Sequence, residues 1–122
     1  MGYRSEVVLA VSKDLMPHFL GVFAKSPDTR TMVFKDHDHM SEDYDGEGTF
    51  LVSWSNIKWY EGYPEVVAIT EFVDRCDGDE IEGIEEPWEH FRFLRLGEDV
   101  EDMVEKGYMH SNDICFHRTI SF

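Results

Sequence analysis

The sequence predicts an α+β domain whose elements run β-α-β-α-β-α-β, with a four-stranded mixed sheet and helices packed on one face. Three observations carry this. Stretches of period-2 apolar alternation are interleaved with stretches of helical spacing. At 122 residues, 42% hydrophobic and 14% aromatic, the chain is long and apolar enough for a single domain with its own core. The last segment alternates strictly, which fits a sheet with one wetter face rather than a fully parallel doubly wound sheet.

The first predicted strand is Glu6 to Ser12, with Val7, Leu9 and Val11 on one face and Val8 and Ala10 on the other, the signature of a central strand. From Asp14 the period becomes helical through Leu15, Met16, Phe19, Leu20, Val22 and Phe23. Ser12 or Asp14 is the N-cap, Pro17 fits the first turn, and Ser26-Pro27-Asp28 ends the helix. Asp36 to Gly48 reads as an acidic loop, with Gly46 and Gly48 supplying unusual backbone angles. Thr49 to Tyr60 is the strongest strand: Phe50, Val52 and Trp54 alternate until the parity slips to Ile57 and Trp59, predicting a bulge at Ser55-Asn56. After Gly62 and Pro64 a second helix presents Val66, Ile69, Phe72, Val73 and Cys76 as its inner stripe. Asp77 to Pro87 is a second acidic loop, and Phe91 to Leu96 a third strand. Glu98 to Lys106 is expected to form a short helix with acids at its N-terminal end and Gly107 just past it. The final strand places Ile114, Phe116, Arg118, Ile120 and Phe122 on one face and Cys115, His117, Thr119 and Ser121 on the other.

Acid is concentrated. Of 26 Asp and Glu residues, 18 lie in three stretches without Lys or Arg: Asp36 to Glu47, Asp77 to Glu89 and Glu98 to Glu105. With only 11 Lys and Arg, the formal net charge is −15. Such a balance argues against direct binding to nucleic acid or an anionic membrane, which needs clustered cations. The longest apolar runs, such as Val7 to Val11, are far too short to span a membrane. The opening Met1-Gly2-Tyr3-Arg4-Ser5 lacks the apolar core of a secretion signal, so a cytosolic protein with reduced Cys76 and Cys115 is expected.

No catalytic motif accompanies this charge, and the chain is not expected to be an enzyme. His37-x-His39 with Asp36, Asp38, Glu42 or Asp43 is the best metal candidate, but no third and fourth ligand are specified. The same stretch fails as a calcium loop, because Met40 and Ser41 stand where a ligand and a glycine are needed. Cys115 and His117 share a strand face without an adjoining oxyanion site. Gly46-Glu47-Gly48 is lined with acid and would repel phosphate. No cofactor and no metal are therefore assigned. Trp54, Trp59, Tyr60 and Tyr63 crowd together, with Trp88 elsewhere; the parity slip leaves either a protein-binding hot spot or a second covered sheet face.

Duplex DNA carries one charge per roughly 1.7 Å, so 15 charges match about 25 Å of duplex. Three converging acidic stretches would imitate a short duplex and dock into a basic groove. The expected contacts are Asp43, Asp45, Glu47, Asp77, Asp79, Glu80, Glu82, Glu85 and Glu86, helped by Trp59, Tyr60 and Trp88. Homo-oligomerisation stays open.

The opening MGYRSEV, the segment FLVSWSNIKWYEGYPEV (50–66) and the segment FRFLRLGEDVED (91–102) resemble a group of small acidic proteins encoded by tailed bacteriophages. The resemblance implies a phage accessory protein in the host bacterial cytoplasm. Such proteins often bind and block a host protein with a basic surface, a defence or nucleic-acid enzyme, in the manner of anti-restriction or anti-CRISPR inhibitors. The alternatives are a metal-dependent hydrolase or nuclease using His37 and His39, or a structural or assembly protein of the virion.

Overall fold

The first strand, β1 (Ser5–Val11), is apolar on both faces because it lies at the centre of a sheet covered on both sides. The computed structural model describes residues 2–99, 101–117 and 119–122. After β1 come α1 (Met16–Lys25), α2 (Pro27–Phe34), β2 (His39–Ser41), β3 (Phe50–Ile57) and α3 (Pro64–Asp77). A single 3-10 turn (Pro87–Glu89) then leads into β4 (Phe91–Gly97), β5 (Met103–Lys106), β6 (Cys115–His117) and β7 (Thr119–Ser121). The sheet has five strands in the order β2-β3-β1-β4-β5, every pairing antiparallel, and β6-β7 form a separate two-stranded hairpin.

Strand parity divides the core in two. Val7, Leu9, Val11, Phe50, Val52, Trp54, Phe91 and Phe93 face the three helices, which contribute Phe19, Val22, Phe23, Met32, Val33, Ile69, Phe72, Val73 and Cys76. The five residues of the expected α3 stripe, Val66, Ile69, Phe72, Val73 and Cys76, are all buried. Each large aliphatic or aromatic side chain so removed from water contributes about 1.5–3 kcal/mol. On the other face Val8, Ala10, Leu51 and Leu94 meet Ile114 and Ile120 of the C-terminal segment. The wetter face expected from sequence is thus covered.

Among the described residues Arg92 is the one charged residue at a buried position, 2% exposed, on the face under the C-terminal segment. Its Nε donates to the Ile114 carbonyl at 2.9 Å, and one terminal nitrogen donates to the Gly107 carbonyl at 2.8 Å and to Glu105 at 3.2 Å. Gly107 holds φ +83°, and a Cβ there would lie 2.2 Å from the Phe91 carbonyl oxygen, so only glycine lets the chain pass this close to β4.

Several expectations need correction. The sheet is antiparallel and five-stranded, not mixed and four-stranded, because β2 and β5 flank it as short edge strands. Ser26-Pro27 ends α1 as expected, but Pro27 also opens α2: a proline that cannot continue one helix is preorganised to start the next. The described residues of the stretch Glu98 to Lys106 form bends and then β5, not a helix, and Val100 lies outside the described residues. The few apolar residues of the stretch make no helical stripe, while Met103 and Val104 gain partners opposite Leu96 and Arg95. The single final strand is a hairpin. Cys115 pairs with Ser121, Phe116 with Ile120 and His117 with Thr119, so paired residues share parity and strict alternation reads the same straight or folded. Arg118 lies outside the described residues. The bulge is present: between the pairs Ser5–Ile57 and Val7–Trp54, β1 advances two residues and β3 three.

Candidate binding surface

The register of the sheet decides which loops are neighbours. Val11 pairs with Phe50 on one side and Phe91 on the other, so the turn after β1, the β2–β3 loop and the segment before β4 meet at one end. Their contacts are direct. The Ser12 amide donates to the His90 carbonyl at 2.8 Å, and the Ser12 hydroxyl both bonds His90 Nδ1 at 2.9 Å and accepts from the Leu15 amide. Lys106, the last residue of β5, pairs with Phe93, so the following segment reaches the same end, where the Tyr108 amide donates to the Trp88 carbonyl.

The β2–β3 loop is organised by its own acids. Asp45 accepts from the Glu47 amide at 2.9 Å, the Thr49 amide at 3.3 Å and the Thr49 hydroxyl at 2.6 Å, and its other contact is His110 Nε2 at 2.8 Å. Burial pushes the Asp45 carboxyl up, but these donors, Thr49 first, outweigh it and hold the group well below the usual carboxylate range. Asp43 accepts from the Gly48 amide at 2.7 Å. Gly46 and Gly48 adopt φ +79° and +86°, as the loop reading expected. Asp45 is therefore a clamp on the loop, with its side chain 12% exposed.

Around this scaffold eight carboxylates are exposed: Asp14, Glu42, Asp43, Glu47, Glu85, Glu86, Glu89 and Asp113. Asp77, Asp79, Glu80 and Glu82 are exposed as well and follow α3, whose Asp74 forms an ion pair with Lys106. Three non-glycine residues at positive φ, Asp79 at 59°, Glu86 at 51° and His110 at 53°, belong to these same segments. Each such left-handed residue costs about 1–2 kcal/mol, which the surrounding hydrogen bonds must offset. The acids from Glu42 to Glu47 of the first stretch and those of the second thus share one end of the sheet, whereas Asp36 and Asp38 lie toward the other, where Asp38 accepts from the Ser55 amide. Asp14, His110 and Asp113 join them without any signal in the sequence, because register alone brings them there.

The third stretch does not join them. Ser5 pairs with Gly97, so Glu98, Asp99, Glu101 and Asp102 sit at the opposite end of β1, about 20 Å away for a seven-residue strand. There Arg95 grips Asp102 with two nitrogens at 2.6 and 3.1 Å, Tyr3 donates to it at 2.7 Å, and its carboxyl is held below the ordinary range. Glu105 belongs to Arg92. The surface of 18 converging carboxylates does not form; a smaller one does.

The aromatic contacts are divided too. Trp59 follows β3 at the far end and packs on Trp54 and Phe93, centroids 5.8 and 6.0 Å away, against the helix-side core. Tyr60 stacks with Tyr63 at the same end. Trp88 stands at the acidic end, half-buried against the core.

His37 and His39 serve different neighbours. His37 Nδ1 donates to the Val33 carbonyl at the end of α2, whereas the His39 ring lies 5.4 Å from Phe122. Among the described residues no group of three His, Cys, Asp or Glu converges to hold a metal. Cys76 and Cys115 are free, Cys76 buried in the helix-side core and Cys115 half-buried on the C-terminal hairpin; burial pushes the Cys76 thiol up to about 12. The Cys115 thiol reaches the Asn112 carbonyl, and the side chain of His117 lies outside what the structure describes. Among the described residues no helix is long and apolar enough to cross a membrane. No family model, no curated protein and no solved structure matches the chain.

Proposed function

We propose that this protein is a non-enzymatic binding protein that sets its acidic end onto a basic surface of a partner protein. The observation that carries the reading is the register of β1 with Phe50 and Phe91, which gathers the Glu42 to Glu47 acids and the second acidic stretch on loops fixed by internal hydrogen bonds. Rigid loops hold charge in place before binding, so less ordering entropy is lost on docking. Eight exposed carboxylates equal the charge on about 14 Å of duplex, enough to occupy part of a groove that otherwise takes DNA.

The likeness of residues 1–7, 50–66 and 91–102 to small acidic proteins of tailed phages supports the choice of partner: a host defence or nucleic-acid enzyme in the bacterial cytoplasm, inhibited by occlusion. The test is capture of partners from a bacterial lysate with three proteins: wild type, a Glu47→Gln/Glu85→Gln/Glu89→Gln variant, and a Glu98→Gln/Asp99→Asn/Glu101→Gln variant. Each variant removes three charges. A basic partner held by wild type and by the second variant, lost from the first and released by salt, supports the reading. Equal loss from both variants means that only net charge matters and refutes it.

A further inference from the structure

At the other end of the molecule lies a second site of different chemistry. β2 pairs only with Leu51 to Ser53, and beyond that point a cleft of about 420 Å3 opens between β3, α2 and the first turn of α3. Buried Met32 and Trp54 form its apolar floor, with the Trp54 indole donating to the Met32 carbonyl at 3.0 Å. Arg4 and Lys58, flanking the adjacent strand ends, line it together with Asp28, Asp36, Asp38 and Glu65, of which Asp38 already accepts from the Ser55 amide at 2.6 Å.

Among the described residues none of these six charged side chains forms an ion pair, with each other or with any neighbour. Opposite charges that border one cavity and do not close on each other leave both ends of that cavity unneutralised. A simple cation placed there would meet Arg4 and Lys58, and a simple anion would meet four carboxylates. A molecule carrying both charges on an apolar body satisfies each wall and displaces water from the floor. The volume is that of a small-ligand pocket.

We propose that this cleft binds a small zwitterion of dipeptide size, its ammonium toward Asp28, Asp36 and Glu65 and its carboxylate toward Arg4 and Lys58. The site is independent of the acidic end, from which the length of β1 separates it.

The test is an NMR titration of the isotope-labelled protein with leucyl-leucine, N-acetyl-leucyl-leucine and leucyl-leucinamide. The readouts are the Trp54 indole N–H and the Asn56 and Ile57 amides. Leucyl-leucine should give saturable shifts at these three groups, and each capped analogue should bind about tenfold more weakly, as loss of one charge-assisted contact requires. Lys58→Gln and Asp36→Asn should each weaken leucyl-leucine by about the same factor, with the dispersed spectrum confirming that the variant is folded. Three outcomes overturn the proposal: no saturable shift up to roughly 10 mM, equal affinity for all three compounds, or shifts located elsewhere.

Discussion

Replacing Arg92 with Met removes a cation that holds the C-terminal segment against the sheet, and its cost follows from its partners. Two of the three are the carbonyls of Ile114 and Gly107, and the Arg92 side chain is only 3% exposed. Leaving a buried carbonyl without its donor costs about 1–3 kcal/mol, so the two together cost about 2–6 kcal/mol. The third partner, Glu105, is 54% exposed, and its loss is worth under about 1 kcal/mol. A domain of this size has roughly 6–18 kcal/mol of stability in total, so the substitution removes a substantial share. With a urea slope of about 1–3 kcal/mol per molar, the unfolding midpoint should fall by at least about 0.7 M. Hydrogen exchange should quicken first at residues 108–114, which the guanidinium pins. A loss below about 1 kcal/mol would mean that water or the backbone re-satisfies both carbonyls, refuting the anchoring role. Glu105→Gln is the control. If it costs as much as Arg92→Met, the ion pair rather than the carbonyls is the anchor.

Gly21 sits inside α1, and a Cβ there would meet nothing within 4 Å. Gly21→Ala should therefore stabilise the protein by about 0.5–1 kcal/mol in urea unfolding, through the unfolded chain; destabilisation would show that α1 tolerates no Cβ at this position. Asp45 has a folded pKa below its ordinary value, so its stabilising contribution is complete above about pH 4 and is lost as pH falls below that. Asp45→Asn should cost about 1–2 kcal/mol at pH 7, and the gap between the two proteins should begin to narrow below about pH 4 and close only as pH falls through the depressed folded pKa; a gap that is constant with pH would contradict the hydrogen-bonded carboxylate account.

Local chemistry was legible where one element answers to one pattern. The α3 stripe, the two-faced β1 and the bulge in β3 follow from spacing alone, since burial on a helix or strand face writes a period into the residues. What stayed hidden depends on register or on symmetry. The hairpin of β6 and β7 keeps the parity of a straight strand, and β5 gains its identity from pairing with β4 rather than from its own sequence. The candidate surface was half legible. Acid counts found the first two stretches, but nothing in the sequence told that the third would fall at the far end of β1, with Asp102 gripped by Arg95. Trp59 shows the same limit: its residue type suits a hot spot, while its position over Trp54 and Phe93 leaves it half-buried against the helix-side core.

Carboxylate footprinting addresses the docking claim at the level of single side chains. Carbodiimide-driven amidation of the free protein and of its captured complex, read by mass spectrometry, reports which acids a partner covers. Glu47, Glu85 and Glu89 should lose labelling in the complex while Glu98, Asp99 and Glu101 label as before. Undiminished labelling of the first three, or protection of the second three instead, would contradict the account.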